Sequence, residues 1–266
     1  MSPSIPYFQS PGHRRIAPGR HFSPFQPPIS PLWGVLILVG LLGLAPALAS
    51  AAEVTFLNRP VEIKPRAQAE WRVLKLGDAV NEGDAIRTGF GGRVEITISK
   101  KRVFRVGEAT EIELPELGER KAEGVRAKFN LLLGRFWGGL IRPLRDPDKE
   151  RFQVTTPTAT IGVKGTSFGV DYDKKLDTSQ VLVLDGTVAA VPPGQEVNVP
   201  VEIAGPREVA PPQEISLDEW LLLVSQDQKV IIRPGEVPQV EPLTPEDKED
   251  EWVKFNNERD QALAAQ

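Results

Sequence analysis

The sequence predicts an all-β fold, a twisted antiparallel sheet stack or a sandwich-like arrangement, with a short helical extension at the C-terminus. Two observations lead to this fold class. Between Glu53 and Val201, short runs of β-branched and aromatic residues alternate with polar residues, as they do in half-buried strands. Gly-Asp and Asp-Gly pairs interrupt these runs where tight turns would join successive strands. We therefore predict one β domain over residues 53–201.

The N-terminal residues 1–51 predict an export signal that is not part of this fold. Residues 1–31 are rich in Pro and contain Arg but no acidic residue, and residues 32–49 are almost wholly apolar. Small residues at Ala49 and Ala51 then offer a cleavage site for signal peptidase. An uncleaved anchor is the alternative, because the apolar run is near the lower limit of about 17 residues for crossing a bilayer. Both interpretations place the remaining chain in the periplasm or cell envelope.

Charge and composition exclude several classes of function for the exported chain. Removing the leader, which carries three Arg and no acid, changes the formal net charge from −4 to −7. This acidic balance argues against binding to nucleic acid or to anionic lipid, so a membrane contact would come only from an uncleaved leader. His13 and His21 both lie in the leader, and the chain has no Cys. The usual zinc sites and His-dependent nucleophiles are thereby removed, and we predict no enzyme activity, no catalytic residue, no metal and no cofactor.

The first distinctive segment is Leu76–Gly89, which follows predicted strands at 54–57 and 71–74. It contains two Gly-Asp pairs six residues apart, followed by Ile-Arg-Thr-Gly. We expect each pair to form a turn in which Gly takes a positive φ and the Asp carboxylate accepts local backbone N–H groups. The alternative is that Asp78 and Asp84 bind a cation or act as an acid and a base. No further acidic residues lie at ligand spacing, which favours the turns.

Alternation along residues 93–98 predicts a strand with one buried face and one solvated face. The side chains expected to face the core are Val94, Ile96 and Ile98. Those expected to face solvent are Arg93, Glu95 and Thr97. Lys100–Lys101 is the predicted hairpin turn, and further strands are expected at 103–106 and 112–114. The charged stretch Glu116–Arg126 predicts a surface loop.

Three later segments complete the predicted β domain. A strand pair is expected at 129–137. Residues 152–170 predict two short strands around Thr156-Pro157, with a tight Gly turn at Lys164-Gly165-Thr166. The last strands lie within 180–189, where Asp185-Gly186 is the strongest hairpin signal of the chain.

Four of these segments resemble the signatures of the FecR-domain family: Leu76–Gly89, Phe129–Trp137, Phe152–Val170 and Gln180–Ala189. The strand pair expected at 129–137 is implied by this resemblance. The resemblance implies an all-β envelope module whose motif residues shape turns and strands, and it identifies no binding residue. The matching motif residues are Gly83, Asp84, Thr88, Gly89, Thr156, Pro157, Gly165, Thr166, Phe168 and Gly186.

Regulatory members of that family combine a cytoplasmic helical anti-sigma segment, one membrane span and a periplasmic FecR domain that senses an outer-membrane transporter. The chain resembles only the third of these parts. Residues 1–31 are rich in Pro and poor in helix formers. The resemblance therefore implies a stand-alone exported FecR-domain protein without the anti-sigma segment.

Residues 202–243 predict a Pro-rich linker that contains a short helix. Ser216–Glu219 is a capping box, in which Ser and Glu satisfy each other's backbone N–H groups. The short helix that it begins would run through Trp220, Leu221, Leu222 and Val224. Residues 230–232 would then form a strand.

Residues 244–266 predict a C-terminal amphipathic helix. Thr244 is the expected N-cap, Pro245 the first helical residue, and acidic residues follow in the first turn. The helix carries one narrow apolar stripe that includes Trp252 and Phe255. Either these residues dock on the β domain, or the helix binds a partner or a second copy.

The function predicted from these features is a non-enzymatic binding, scaffolding or signalling module of the cell envelope. Its expected contacts are with a protein partner, through exposed sheet edges and the C-terminal helix. The alternative is binding of envelope carbohydrate, peptidoglycan or exopolysaccharide, on Trp platforms. Two or more coplanar exposed Trp rings would favour that alternative, and burial of all four would exclude it. The four candidates are Trp71, Trp137, Trp220 and Trp252.

Overall fold

The structure is a computed structural model that describes residues 52–99, 102–120, 124–140, 151–163, 166–195, 197 and 220–265. The predicted leader, the Lys100–Lys101 turn, Gly165 and the Ser216–Glu219 capping box lie outside the described residues. No helix within the described ranges is long and apolar enough to cross a membrane.

The described residues form an all-β fold with a helical C-terminal extension. The first nine strands are β1 (Ala52–Asn58), β2 (Val61–Lys64), β3 (Arg72–Val73), β4 (Ala79–Val80), β5 (Ala85–Thr88), β6 (Arg93–Ser99), β7 (Arg102–Val106), β8 (Glu111–Arg120) and β9 (Gly124–Leu140). The later strands are β10 (Arg151–Thr155), β11 (Thr160–Val163), β12 (Ser167–Asp173), β13 (Thr178–Asp185), β14 (Thr187–Val191), β15 (Leu222–Ser225), β16 (Gln228–Ile232) and β17 (Val240–Pro242). Two helices follow, α1 (Pro245–Glu249) and α2 (Glu251–Ala264).

Strand β9 belongs to two sheets and joins them. The first sheet has the order β4–β1–β6–β7–β9–β12–β13–β16–β17, with every pair antiparallel. The second sheet has the order β3–β2–β5–β8–β9–β10–β11–β14–β15, in which β9 and β10 are the parallel pair. Each sheet therefore has the strands that precede β9 on one side of it and the strands that follow on the other.

The change of sheet along β9 occurs at Gly134. Leu133 still pairs with β8 of the second sheet, whereas Gly134 pairs with β12 of the first. Gly134 has φ 94°, and a Cβ there would lie 2.2 Å from the Oγ1 atom of Thr110. Both the conformation and the space require Gly at this bend.

The inner faces of the two sheets share one hydrophobic core. Phe104 and Phe136 of the first sheet pack against Phe129 of the second, each with ring centroids 4.8 Å from those of Phe129. Val94, Ile96 and Ile98 are buried in this core, which confirms the predicted inward face of their strand. Burying side chains of this size contributes about 1.5–3 kcal/mol each, and this chain has no disulfide to assist.

Two predicted connections are different in the structure. The predicted loop at Glu116–Arg126 is wrong, because residues up to Arg120 extend β8 and residues from Gly124 extend β9, in register with each other. The strand pair predicted at 129–137 is likewise one long strand. Local charge suggested a loop, but Leu117 pairs with Ala127 across the two strands and both residues are buried in the core.

Turn signals located the corners correctly but did not identify the pairing that follows. Gly186 has φ 83°, as its predicted turn requires. Strand β13 before it pairs with β12 and β16, whereas β14 after it pairs with β11 and β15 of the other sheet. The predicted hairpin is therefore a corner between sheets. The chain makes a similar change of sheet between Val163 and Ser167, whereas Thr156–Ala159 does connect the hairpin of β10 and β11.

The short helix predicted through Trp220, Leu221, Leu222 and Val224 is wrong. Leu222–Ser225 instead forms β15, in which Val224 is buried and pairs with Val188 of β14. Pairing and burial in the sheet outweigh the capping signal that precedes this segment. The strand expected at 230–232 is confirmed as part of β16.

The C-terminal helix is confirmed in type and start but is divided in two. Thr244 caps α1 in a reciprocal capping box with Asp247, and Pro245 is its first residue. At Asp250 the backbone leaves the helical conformation, with φ −53° and ψ 131°. The Asp250 carboxylate then accepts the backbone N–H groups of Trp252 and Val253 and so caps α2.

Candidate functional site

The outer face of the first sheet carries a row of directly paired residues on seven neighbouring strands, and α1 and α2 pack along this row. The row is Phe56, Glu95, Arg105, Trp137, Gly169, Leu182 and Lys229. At one end, Phe56 packs against Phe255 of α2, with ring centroids 5.7 Å apart. At the other end, the Lys229 Nζ atom lies 2.7 Å from an Asp247 carboxylate oxygen of α1. We call this surface, together with the helices on it, the helix-docking face.

A buried ion pair lies in the middle of the helix-docking face. Glu95 and Arg105 are cross-strand neighbours, and the Arg105 Nε atom donates to the Glu95 Oε2 atom at 2.7 Å. Their side chains are only 2% and 1% exposed. The prediction that Glu95 faces solvent is therefore wrong. Alternation along the strand identified the outer face correctly, but α2 covers that face.

Helix α2 adds a second pair of charges to the first. Arg259 donates two hydrogen bonds to Glu95, from Nε to Oε2 at 2.9 Å and from Nη2 to Oε1 at 3.0 Å. Asp260 accepts a hydrogen bond from the Arg105 Nη1 atom at 2.6 Å. Each charge on the sheet thus contacts an opposite charge on the helix, which is the geometry that lets buried charges be tolerated.

Asp260 also accepts hydrogen bonds from two neutral donors of the first sheet. The Trp137 Nε1 atom lies 2.9 Å from Asp260 Oδ2, and the Ser167 Oγ atom lies 3.1 Å from the same oxygen. A Cβ on Gly139 would lie 2.6 Å from the Asp260 Oδ1 atom, so Gly139 leaves room for this carboxylate. Three strands of the sheet, β7, β9 and β12, therefore hold one helical residue.

The electrostatics of this face keep Glu95 ionised. Burial alone would raise the pKa of Glu95, but the hydrogen bonds and charges of Arg259 and Arg105 outweigh it and lower the pKa from 4.5 to about 2. The docked helix therefore contributes to the stability of the charged form.

An apolar cluster lies beside the charges. Trp252 and Val253 of α2 are buried with Trp137 and Leu182 of the sheet. Phe255 packs against Trp252, with ring centroids 5.8 Å apart. This packing confirms the interpretation in which Trp252 and Phe255 dock on the β domain.

The N-terminus of α2 is held by Arg135 of β9. The Arg135 Nη2 atom lies 3.0 Å from Asp250 Oδ1 and 2.9 Å from Asp171 Oδ2. Asp250 thus caps α2 with one interaction and pairs with the sheet through another. Because Arg135 contacts both carboxylates, Asp250 lies near Asp171 of β12.

The two predicted Gly-Asp turns have the expected geometry. Asp84 is buried, and its carboxylate accepts the backbone N–H groups of Arg66 at 3.0 Å and Asn81 at 2.9 Å. Gly83 has φ 88°. Asp78 accepts from the Lys75 N–H at 3.1 Å, and its hydrogen bond with Arg72 lowers its pKa. Within the described ranges, no group of three or more His, Cys, Asp or Glu residues is placed to hold a metal ion.

The motif residues Thr88 and Gly89 connect β5 to the turn after β7. The Thr88 hydroxyl donates to the Gly107 carbonyl at 2.6 Å and accepts from the Thr110 N–H at 2.9 Å. The Gly89 carbonyl accepts the Ala109 N–H at 3.1 Å. These hydrogen bonds fix the turn that follows β5, so Thr88 and Gly89 have a structural role here.

The motif residues around 156 form a buried hydroxyl network. Thr156 accepts the Ala159 N–H at 3.0 Å, and its hydroxyl lies 2.7 Å from that of Ser179. Thr158 lies 2.6 Å from the same Ser179 hydroxyl. Pro157, between them, is exposed at the turn.

The remaining described motif residues lie in strands and at a corner. Thr166 is buried, and Phe168 is buried against β9, where a Cβ on Gly138 would lie 2.3 Å from its ring. Gly186 occupies the corner described above. The motif residues thus serve separate turns and packing contacts, and the charged residues of the helix-docking face are not among them.

Sequence reasoning missed the centre of the helix-docking face. The missed residues are Glu95, Arg105, Trp137, Ser167 and Asp260. A partial signal was present, since the Arg259-Asp260 pair follows an aromatic stripe on the predicted helix. Their partners lie about 90–165 positions earlier in the chain, which no local pattern reveals.

The four Trp residues do not form a stacking platform. Trp137, Trp220 and Trp252 are buried. Trp71 is half-buried, and the Arg87 guanidinium lies over its ring, 4.4 Å from the centroid. The condition set for sugar stacking, two coplanar exposed rings, is not met by these residues.

One family model matches part of the chain. Residues 84–189 match the family model described as "FecR protein". No curated protein matches the chain significantly.

Two crystal structures of a "putative anti-sigma factor" from Parabacteroides distasonis are similar to the chain, each with 16% sequence identity. One has a TM-score of 0.42 and covers 60% of this chain and 59% of its own. The other has a TM-score of 0.44 and covers 64% of each. The chain thus spans about three fifths of the length of the solved structures that it matches.

Proposed function

Because the chain carries a FecR domain at residues 84–189, we propose that it is a non-enzymatic signalling or scaffolding module that acts through contacts with another protein. The family resemblance and the predicted leader at residues 1–51 support a place in the periplasm or cell envelope. The proposed β domain covers residues 53–201, and the helices after residue 244 complete its outer surface.

The observation that carries this proposal is the open edge of the second sheet at β3. Among the described residues, β3 pairs only with β2, at Glu62 with Val73 and Ile63 with Arg72. Val73 is 55% exposed and Leu76, just beyond the strand, is 67% exposed. An edge strand with exposed apolar side chains is suited to receiving an extended segment of a partner, since main-chain hydrogen bonds and side-chain pockets both become available.

Packing on the helix-docking face limits which side of α2 a partner protein could contact. Its aromatic stripe is already used in packing on the first sheet, so a partner would meet the opposite side of α2. That side is polar and exposed, and it includes Lys254, Asn257, Glu258 and Gln261. A contact there would be secondary to the apolar edge at β3.

The carbohydrate alternative has less support. It required stacking platforms, and three of the four Trp rings are buried. Enzymatic function also lacks support, because the chain has no Cys and no His beyond His21.

The proposal is tested by crosslinking in intact envelopes followed by purification of the tagged full-length chain. Recovery of one dominant protein is expected, and Val73→Asp combined with Leu76→Asp should abolish it. The matched control is Val237→Asp, which places a charge at another site that is 51% exposed. A chain that lacks residues 244–266 tests the contribution of the helices.

The outcomes separate the candidate functions. Loss of the partner only on removal of residues 244–266 would move the contact from β3 to the helices. Recovery of glycan and no protein would reject the proposal and support carbohydrate binding.

A further inference from the structure

A groove of about 430 Å³ lies beside the N-terminus of α2, between the turn after β7 and the turn that joins β12 to β13. Ala109, Leu133 and Tyr172 contribute apolar surface to it. Lys174 and Lys175 form part of its wall, and both are exposed. The groove therefore combines apolar surface with two cations.

The acidic groups of the groove already have partners within the protein, and the two lysine ammonium groups do not. Asp171 pairs with Arg135, and Asp173 accepts the backbone N–H groups of Lys175 and Leu176 at 2.7 and 3.1 Å. In contrast, no carboxylate within the described part of the chain lies at ion-pair distance from the ammonium group of Lys174 or Lys175. Asp171 thus has a cationic partner and Asp173 uses its Oδ1 atom within the turn, whereas the two ammonium groups remain available to a ligand.

An exposed aromatic side chain stands next to the groove. Phe90 is 86% exposed, and it follows Gly89, whose carbonyl accepts the N–H of the groove residue Ala109. The turn is fixed further by a hydrogen bond from the Gly91 N–H to Glu108 at 2.7 Å. An exposed aromatic ring on a hydrogen-bonded turn is a suitable anchor, because the backbone that carries it is already ordered before a partner covers the ring.

We propose that this groove binds an acidic segment of a partner protein that carries at least one large apolar side chain. Carboxylates of the segment pair with Lys174 and Lys175, and its apolar side chain packs against Phe90 and Leu133. Charge complementarity argues for this partner, since two exposed ammonium groups lie side by side on the wall of the groove in a chain whose net charge is −4. The inference rests on the proposed protein-binding function but concerns a surface separate from β3.

The test measures binding of a fluorescein-labelled peptide of alternating Asp and Leu, with one Phe, to the full-length chain by fluorescence anisotropy. The same peptide with Lys in place of Asp is the charge control. We expect the acidic peptide to bind and the basic peptide not to bind. Added salt should weaken the binding, because exposed charges are screened.

Variants then locate the peptide. Lys174→Glu combined with Lys175→Glu should weaken binding about tenfold or more, since two attractions become repulsions. Phe90→Ser should weaken it as well. The matched control is Lys75→Glu combined with Lys128→Glu, which makes the same change of net charge on lysines that do not line the groove and should bind as the parent does. Unchanged urea midpoints establish that each variant is folded.

Several results would overturn the inference. These are no binding of the acidic peptide, equal binding of both peptides, or equal loss in the two double variants. Binding of an acidic polysaccharide in place of the peptide would assign the groove to an anionic glycan.

The crosslinking experiment separates this inference from the proposed function. If the parent recovers the envelope protein in a way that depends on Val73 and Leu76 but does not bind the acidic peptide, the groove assignment is wrong and the proposed function stands. If the parent recovers no protein, the proposed function fails whatever the peptide does.

Discussion

Arg259 of α2 donates to both carboxylate oxygens of Glu95, a residue that lies 164 positions earlier in the chain. Glu95 in turn accepts from Arg105, its neighbour across the sheet. Helix α2 is therefore bonded to the early strand β6 through charged side chains.

Replacing Arg259 should destabilise the protein much more than breaking an exposed ion pair. Arg259→Gln leaves Glu95 with Arg105 as a charged partner and with the Thr55 hydroxyl as a neutral donor. Hydrogen bonds to charged groups contribute about 1.5–3 kcal/mol each. We expect a loss of about 2–3 kcal/mol in the free energy of unfolding, measured by urea denaturation. Glu251→Gln is the control, because Glu251 is 85% exposed in its pair with Arg93 and should change stability by about 0.5 kcal/mol or less. Equal effects of the two changes would contradict the role given to Arg259.

Stability should fall in acid because of Glu95. Its pKa is lowered from 4.5 to about 2 in the folded chain, so its contribution is fully present above pH 4.5 and is lost as the pH falls towards 2. The shift corresponds to at most about 3 kcal/mol. Urea midpoints measured between pH 6 and pH 2 check this dependence. Glu95→Gln should be less stable at pH 6 and should depend less on pH over this range, and an unchanged slope would reject Glu95 as the cause.

Removing the Asp260 carboxylate should leave the buried Trp137 Nε1 donor without an acceptor and should remove the charged partner of Arg105 Nη1, which also lies 3.3 Å from Asn256 Oδ1. Asp260→Ala removes the bonds to Arg105, Trp137 and Ser167, and we expect a loss of about 2–4 kcal/mol. Asp260→Asn retains an oxygen acceptor and should lose less. Ser167→Ala removes one neutral donor and should cost about 1 kcal/mol. Urea unfolding followed by Trp fluorescence measures this order, and a larger loss for Asn than for Ala would refute it.

Two glycines should differ in how strongly the same added methyl group destabilises the protein. A Cβ on Gly138 would lie 2.3 Å from the Phe168 ring, whereas a Cβ on Gly89 would meet nothing within 4 Å. Gly138→Ala should destabilise by about 1–3 kcal/mol through overpacking. Gly89→Ala should stay within about 0.5 kcal/mol of the parent. Thermal unfolding by circular dichroism compares the two, and a large loss at Gly89 would show that this motif glycine has a role beyond the packing described above.

The sequence predicted the fold class and much of the strand content because period-2 alternation is a local property. Val94, Ile96 and Ile98 face the core as the alternation requires. Glu95 was misplaced by the same rule, because the rule treats the second face as solvated. Only contacts with Arg259, far along the chain, show that this face is covered.

Turn chemistry was informative about conformation but not about pairing. Gly186 has the positive φ that Asp-Gly predicts. The choice between a hairpin and a change of sheet depends on which strands already flank β13, and that is decided by non-local packing. The helix-docking face could not be predicted for the same reason, although both of its aromatic anchors, Trp252 and Phe255, were identified on the helix.

The shared strand β9 has a consequence for how the protein acquires its structure. Of the strands before β9, β7 and β8 pair with it, and of the strands after it, β10 and β12 do. Among the described residues, no strand before β9 pairs directly with a strand after it. The early strands can therefore gain neighbours from the later half only after β9 has emerged. Glu95 and Arg105 are covered later still, when α2 packs on the sheet. A chain that emerges from its N-terminus would thus keep these two opposite charges exposed to solvent until residues 251–264 have emerged and can cover them.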